Sequence, residues 1–248
     1  MAALDIELYG PQYDFVADDQ NHYLGFIAGI GSGKTIAGSC RALGASQGVI
    51  GSQRIRTPNL GIVTAPTYSM LRDATIRAFL DIAGDFISDY NKSEMRITMR
   101  NQSEILFRST DNVEHLRGPS ISWWYGDEAA LYLPLVWQIM LGRLRQYGAH
   151  GWAWITTTPK GRNWIWQKFV QAARKGYKLY KAATQHNPFL DAEFVAGLVE
   201  EYVGDFAAQE LAGEFVAFEG LIYPEFERSL HVSSTRPKDF ADVVAGVD

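Results

Sequence analysis

The sequence predicts an α/β domain: a mostly parallel β-sheet flanked by helices, with an added β-hairpin and a small helical segment towards the C-terminus. Three observations lead there. Short apolar runs rich in β-branched and aromatic residues alternate with helical patterns as far as Asn187. One of those runs ends in a glycine loop that opens directly into a helix. After Asn187-Pro188 only helical patterns follow.

Taken in order, strands are predicted at 24–28, 60–64, 121–126, 152–157 and 177–183. Helices are predicted at 34–47, 68–82, 134–147 and 163–175. The stretch RITMRNQSEILF, 96–107, differs: two alternating runs flank Asn101-Gln102-Ser103, which reads as a hairpin added to the sheet. Asp191 is suited to cap a helix of about 13 residues, a common length. Gly204-Asp205 breaks that helix, and a second runs to about Phe215. The stretch FEGLIYPEFERSLHVSSTRP lacks helical periodicity and reads as a linker. The chain closes on FADVVAGVD, an apolar strand running into Asp248, so more protein is expected to follow. The expected organisation is a core at 1–187, a helical linker subdomain at 188–218, and a linker with the first strand of a further domain at 219–248.

Bulk properties narrow the classes. The 248 residues suffice for a real core, and 47% apolar with 21% charged residues is ordinary for a globular protein. No run approaches a membrane span, and the N-terminus has no basic-then-apolar signal. The single cysteine, Cys40, excludes an internal disulfide and a thiolate metal cluster, which points to a reducing, intracellular compartment. A net charge of −5 argues against general coating of nucleic acid. The charge is uneven: 160–181 holds seven basic residues and no acidic one, whereas 191–228 holds ten acidic residues and one basic. Either run can be a solvated face.

The loop AGIGSGKT carries the chemistry. Ala28 stands in the first glycine place of a phosphate-binding pattern, and Gly29, Ile30, Gly31 and Ser32 lead to Gly33-Lys34-Thr35. Its glycines let backbone N–H groups converge on phosphate oxygens. Lys34 adds a point charge, and the Thr35 hydroxyl suits Mg²⁺. The helix that begins there turns its positive end to the anion. Such a site needs a carboxylate at the end of a neighbouring strand, and ISWWYGDEAA supplies two. Asp127 is expected to hold Mg²⁺ through water, and Glu128 to orient and deprotonate the attacking water. Asp127-Glu128 alone would read as a helix cap; with the upstream loop it reads as catalytic. These motifs predict a P-loop NTPase of the ASCE, RecA-like type with ATP and Mg²⁺ as cofactors.

Two needs remain. A polar residue near the γ-phosphate can report hydrolysis, and WAWITTTPKG offers Thr156, Thr157 and Thr158, which β-propensity explains equally well. A positive charge for the transition state can come from Arg117 on the glycine-proline loop EHLRGPS, or from Arg143 and Arg145.

In these ordered motifs the chain resembles the N-terminal ATPase part of large terminase subunits, the motors that package DNA into tailed-phage or herpesvirus-like procapsids. GPQYDF resembles the adenine-recognising segment, with Gln12 in the glutamine place. VTAPTYSMLRDA, LFRSTDNVEHLRG and TTTPKGRNWIW resemble the segments after the second strand, before the Asp-Glu strand and at the coupling motif. GEFVAFEGLIYPEF resembles the junction to a C-terminal nuclease, and AGVD the first strand of that RNase H-like domain. The resemblance implies that Lys34 and Thr35 bind phosphate and Mg²⁺, that Asp127 assists the metal, and that Glu128 is the catalytic glutamate. It implies Thr157 as the coupling threonine, Arg117 as an arginine inserted into a neighbouring subunit's site, and Asp248 as the first nuclease metal ligand. Ile30 or Gly31 stands where many relatives have an arginine in the loop, which raises the need for one from elsewhere.

The resemblance further implies double-stranded DNA as substrate, a homo-oligomeric ring, a small terminase subunit and a portal protein as partners, no membrane, and action in the infected host's cytoplasm rather than in the virion. No nuclease activity is expected from this chain, because a cutting site needs several carboxylates around its metals. Two other readings stay open. A helicase-type translocase brings its arginines from a second lobe, for which the remaining residues hold no strand set. A non-hydrolysing ATP-dependent assembly protein would not need Glu128. DNA contact is sought in the 160–181 run, with Trp164 and Trp166 interleaved, or around Arg72. Trp123, Trp124, Trp152 and Trp154 are expected in the core.

Overall fold

The computed structural model describes residues 5–172 and 174–216. The linker and closing strand expected at 219–248, with Asp248, lie outside the described residues. In order the elements are α1 (Gly10–Ala17), β1 (Tyr23–Ala28), α2 (Lys34–Ser46), β2 (Val49–Ile50), β3 (Gln53–Arg54), β4 (Leu60–Ala65), α3 (Tyr68–Met70) and α4 (Ile76–Ala83). Then come β5 (Ile87–Asn91), β6 (Arg96–Met99), β7 (Glu104–Ser109), β8 (Trp123–Asp127), α5 (Pro134–Leu141), β9 (Trp152–Thr157), α6 (Trp164–Trp166), β10 (Tyr177–Ala182), α7 (Ala192–Glu201) and α8 (Gly204–Glu210). The described residues belong to one compact unit, so α7 and α8 share it with the sheet.

Eight strands form one sheet in the order β10-β1-β9-β8-β4-β7-β6-β5, and β2 and β3 form a separate ribbon. Neighbours from β10 to β7 are parallel. The expected hairpin is present as β6 and β7, and β5 extends it antiparallel. β9 stands between β1 and β8, and its Thr156 pairs with Phe26 on one side and Asp127 on the other. At one edge β10 exposes Lys178 and Lys181, charges that discourage pairing with another strand.

Strand alternation divides the core between two faces. Trp123, Tyr125 and Trp154 pack with Ala37 and Leu43 of α2 and Ile76 and Phe79 of α4. Trp124 and Ile155 face the other way, onto Val136, Trp137 and Met140 of α5 and Trp164 of α6. All four expected core tryptophans are buried. Three of their indole N–H groups are satisfied, by Asn59 Oδ1 at 3.0 Å, Thr64 Oγ1 at 2.9 Å and the Gly38 carbonyl at 3.1 Å. Trp164 is also buried, against Trp137, and so is not a base-stacking platform.

The predicted helices are shortened where tertiary packing overrides local pattern. The expected helix 68–82 is interrupted by a π-helical turn, Leu71–Thr75. The expected 134–147 helix stops at Leu141. Beyond it the chain turns so that the Gln146 side chain accepts from the Leu60 N–H and the Ser122 hydroxyl, closing the sheet's lower end. The expected 163–175 helix is α6 plus a π turn, Gln167–Gln171, which brings Phe169 onto Trp137 and Tyr177. Asp191 caps α7 as expected, accepting from the Glu193 and Phe194 N–H groups, and Gly204 begins α8 rather than only ending its predecessor.

α2 lies so close to β8 that a Cβ on Gly38 would overlap the Tyr125 ring. That ring stacks on Trp154 and is held by Thr156, so it cannot step aside. Gly38→Ala is therefore expected to destabilise by about 1–3 kcal/mol through overpacking, outweighing the ~1 kcal/mol that alanine gains over glycine in a helix. Gly197→Ala in α7, where a Cβ meets nothing, is expected to be neutral or stabilising. Urea denaturation of the two variants checks this.

Candidate active site

The loop between β1 and α2 lies at the C-terminal edge of the parallel strands. Gly31 (φ +69°) and Gly33 (φ +73°) are left-handed, conformations in which a side chain would be strained. Every carbonyl from Gly29 to Gly33 is engaged by the protein. Gly29 accepts from the Ser32 hydroxyl at 2.7 Å and from Lys34 Nζ at 3.2 Å. Ile30 accepts from Thr184 Oγ1 at 2.6 Å and Gly31 from Asn187 Nδ2 at 2.7 Å. Ser32 accepts from the Tyr9 hydroxyl, and Gly33 from Gln12 Nε2 at 3.2 Å. On the donor side, the Ile30 N–H is used by the Glu210 carbonyl at 2.7 Å. Among the described residues, the N–H groups of Gly31, Gly33, Lys34, Thr35 and Ile36 have no protein acceptor. With the loop's carbonyls turned outward, those donors form a nest for an anion at a helix N-terminus. The buried Lys34 ammonium uses one of its three donors, on Gly29. This donor set fits a polyphosphate.

Asp127, at the end of β8, is buried and surrounded by donors. Its Oδ1 accepts from Thr156 Oγ1 at 2.6 Å, the Glu128 N–H at 3.2 Å and Thr35 Oγ1 at 3.4 Å. Its Oδ2 accepts from Thr75 Oγ1 at 2.8 Å. Thr156 has one hydroxyl proton and gives it to Asp127, so the Tyr125 hydroxyl, 3.0 Å away, donates to Thr156. Burial, the largest influence, raises the Tyr125 pKa well above the usual phenol value and keeps it a donor. A Thr35 hydroxyl facing a carboxylate oxygen is a hard-oxygen pair suited to Mg²⁺.

Glu128 follows in a left-handed conformation (φ 50°, ψ 43°), strained for a non-glycine residue. Thr157 Oγ1 lies 3.3 Å from Glu128 Oε2, accepts from the Ala130 N–H at 3.1 Å, and donates to the Thr158 carbonyl at 2.9 Å. Burial raises the Glu128 pKa above the ordinary carboxylate value; the Lys34 charge opposes this, and Asp127 adds to it.

The sequence-predicted residues thus separate into groups. Gln12, the loop from Ala28 to Thr35, Asp127, Glu128, Thr156, Thr157 and Thr158 come together. Arg117 does not join them: it is exposed and pairs with Glu114 of its own turn at 2.8 Å. Arg143 and Arg145 lie at the opposite end of the sheet. The Arg143 carbonyl accepts from the Ile121 N–H, and Arg145 Nε donates to Ser120, before β8 begins. Six residues of extended chain, roughly 20 Å, separate Ile121 from Asp127, so neither arginine reaches its own chain's Glu128. Of the candidate DNA contacts, Lys160 is paired with Glu210 at 2.9 Å, Arg162 lies over Trp166, and the exposed Arg72 pairs with Asp73. Four polar residues at the site, Tyr9, Thr75, Thr184 and Asn187, escape sequence reading; only Asn187-Pro188 gave a signal, as a break in pattern.

A glycine loop between a buried strand and a helix, a carboxylate pair on a strand two places away, and one strand inserted between them define the class: a RecA-like P-loop fold. The chain belongs to the family described as terminase large subunit, T4likevirus-type, N-terminal, which matches residues 26–230. It is 36% identical over 76 residues to the terminase large subunit of Thermus phage G20c; that match spans 31% of this chain and 16% of the relative. It superposes on the large terminase ATPase domain of Thermus phage P74-26 with a TM-score of 0.67 and 22% identity, covering 85% of this chain and 94% of the other. On the large terminase of a thermophilic bacteriophage in complex with ADP the TM-score is 0.73 at 17% identity, covering 93% of this chain and 59% of the other.

A raised carboxyl pKa has a consequence for stability. Its contribution is present below the unfolded-state pKa and is lost as pH rises through the folded one, where a buried group must ionise. Glu128→Gln is therefore expected to melt at a higher temperature than the parent at neutral pH, and the difference is expected to vanish in acid. Thermal melts across pH check both signs.

Proposed function

We propose that this chain is the ATP-hydrolysing motor part of a terminase large subunit and powers translocation of double-stranded viral DNA into a procapsid. The observation that carries this is the meeting of Lys34, Thr35, Asp127 and Glu128 at one edge of the sheet, in a chain of this family. The P74-26 relative is named as an ATPase domain, and another relative was solved with ADP.

In this reading the free loop N–H groups and Lys34 grip the β- and γ-phosphates, and Gln12 joins adenine recognition to the loop it already touches. Thr35 and Asp127 would hold Mg²⁺, which supplies positive charge to the phosphate oxygens. Glu128 takes the proton of the attacking water. Its raised pKa makes it a better base than an exposed carboxylate, and turnover falls as pH drops through that raised value. Thr157 touches Glu128 and the Ala130 backbone together, which suits it to pass the state of the site into β9 and α5. Thr156 instead serves Asp127.

The charge still missing comes from Arg117 of a neighbouring subunit in a homo-oligomeric ring. An exposed arginine outside its own chain's cluster, paired with Glu114 of its own turn, fits that role. Family membership supports a small terminase subunit and a portal protein as partners and the host cytoplasm as the place of action; no helix among the described residues is long and apolar enough to cross a membrane. Asp248 is proposed as a metal ligand of a nuclease domain in the full-length protein.

Glu128→Gln is expected to keep ATP affinity and lose roughly 10²–10⁴-fold in turnover, the range for a general base. Lys34→Ala is expected to weaken both. Equilibrium nucleotide binding and steady-state hydrolysis on the same samples decide it, and substantial hydrolysis by the glutamine variant would remove the assignment. For the ring, specific activity is expected to rise with protein concentration. Arg117→Ala should bind ATP yet lose about 10³–10⁵-fold in rate, the usual worth of an inserted arginine. Mixing it with Lys34→Ala should restore some hydrolysis, because each variant supplies what the other lacks. Concentration-independent turnover with no rescue would contradict the trans arrangement.

A further inference from the structure

The π-helical turn Leu71–Thr75 follows β4 and sits where the sequence pattern calls for an unbroken helix. π turns are rare, and they concentrate at functional sites. Here the turn closes with the Ile76 N–H on the Leu71 carbonyl, five residues back. In an α-helix of about 3.6 residues per turn, positions five apart point to different faces. The wider turn lets Leu71 and Ile76 both enter the core, with Thr75 buried beside them. The residue that gains from this register is Thr75. Its hydroxyl donates to Asp127 Oδ2 at 2.8 Å, and among the described residues it is the one side chain or backbone donor on that oxygen.

We propose that Thr75 is a positioning residue for the metal site: it fixes the rotation of the Asp127 carboxylate so that Oδ1 faces Thr35. The inference rests on the reading of Thr35 and Asp127 as the groups that would hold Mg²⁺. A carboxylate held at one oxygen can still pivot about that oxygen, and a donor on the second oxygen fixes its rotation. Thr156 and the Glu128 N–H hold Oδ1 from the β9 and chain-forward sides. Thr75 holds Oδ2 from the β4 side. Together they leave Oδ1 facing the Thr35 hydroxyl, 3.4 Å away, the pair of hard oxygens that would share a cation. Thr75 touches neither nucleotide nor metal; it acts through Asp127. Buried Thr156 accepts a hydrogen bond from the Tyr125 hydroxyl and donates its own to Asp127, so its bond is fixed in direction, and Thr75 is the clamp on the other oxygen.

A purely structural threonine would affect folding alone, so the test separates the two. Fluorescent ADP binding is measured for the parent chain, Thr75→Val and Thr75→Ser, first in EDTA and then across a Mg²⁺ titration, with the Mg²⁺ dependence of ATP hydrolysis alongside. The valine variant is expected to match the parent in EDTA and to need about tenfold more Mg²⁺ for half-effect in both assays, the scale of one hydrogen bond to a charged group. The serine variant is expected to restore the parent's Mg²⁺ dependence. An unchanged Mg²⁺ requirement in Thr75→Val, or a serine variant as impaired as the valine one, would overturn the proposal. Thr75→Ala carries the same comparison if valine does not fold. A parent chain whose nucleotide binding and hydrolysis ignore Mg²⁺ would overturn the reading of the site, and this inference with it.

Discussion

One buried carboxylate, Asp127, is the tie on which the arrangement depends. Its oxygens accept from Thr35 at the start of α2, Thr75 after β4, Thr156 on β9 and the Glu128 backbone. Four segments distant in sequence therefore meet at one charged group. Burying a carboxylate without donors is costly, so the charge itself demands that all four segments be in register. The parallel sheet makes this possible, because Thr156 stands directly beside Asp127 across one ladder. The same register puts Tyr125 under α2, where Gly38 leaves room for it.

The phosphate loop is held by complementary means. Its carbonyls are bound from outside by Gln12, Tyr9, Thr184 and Asn187, which leaves N–H groups facing inward. Two of these anchors come from the turn after β10, and the Glu210 carbonyl at the end of α8 takes the Ile30 N–H. Lys160, just past the threonine run on β9, pairs with the carboxylate of the same Glu210. The end of α8 is thus in contact with both the loop and the strand that serves Asp127 and Glu128.

Much of this was legible in the sequence, and the reason is local. The glycine loop, the Asp127-Glu128 pair and the hairpin are each written in contiguous residues with strong backbone demands. What escaped reading depends on tertiary contact. The 68–82 pattern is apolar enough for a continuous helix, and the π turn goes with tertiary contacts: Leu71 and Ile76 both in the core and Thr75 on Asp127. Gln146 ends the helix early because it is needed at Leu60 and Ser122. Thr75, Thr184 and Asn187 carry no motif of their own; they matter through partners 52, 154 and 156 positions away. In the run Thr156-Thr157-Thr158 local pattern does not rank the three, and the family resemblance singles out Thr157. The pleat separates them, giving Thr156 to Asp127 and Thr157 to Glu128.

The central claim is that Lys34, Thr35 and Asp127 form one nucleotide–metal site. Mn²⁺ in place of Mg²⁺ tests it without relying on turnover, through its paramagnetic resonance in the presence of a non-hydrolysable ATP analogue. The account predicts one nucleotide-dependent Mn²⁺ per chain, with hyperfine coupling to the phosphorus of the analogue, and loss of that signal in Thr35→Val and Asp127→Asn. Mn²⁺ that binds without nucleotide, shows no phosphorus coupling, or is indifferent to both substitutions would contradict it.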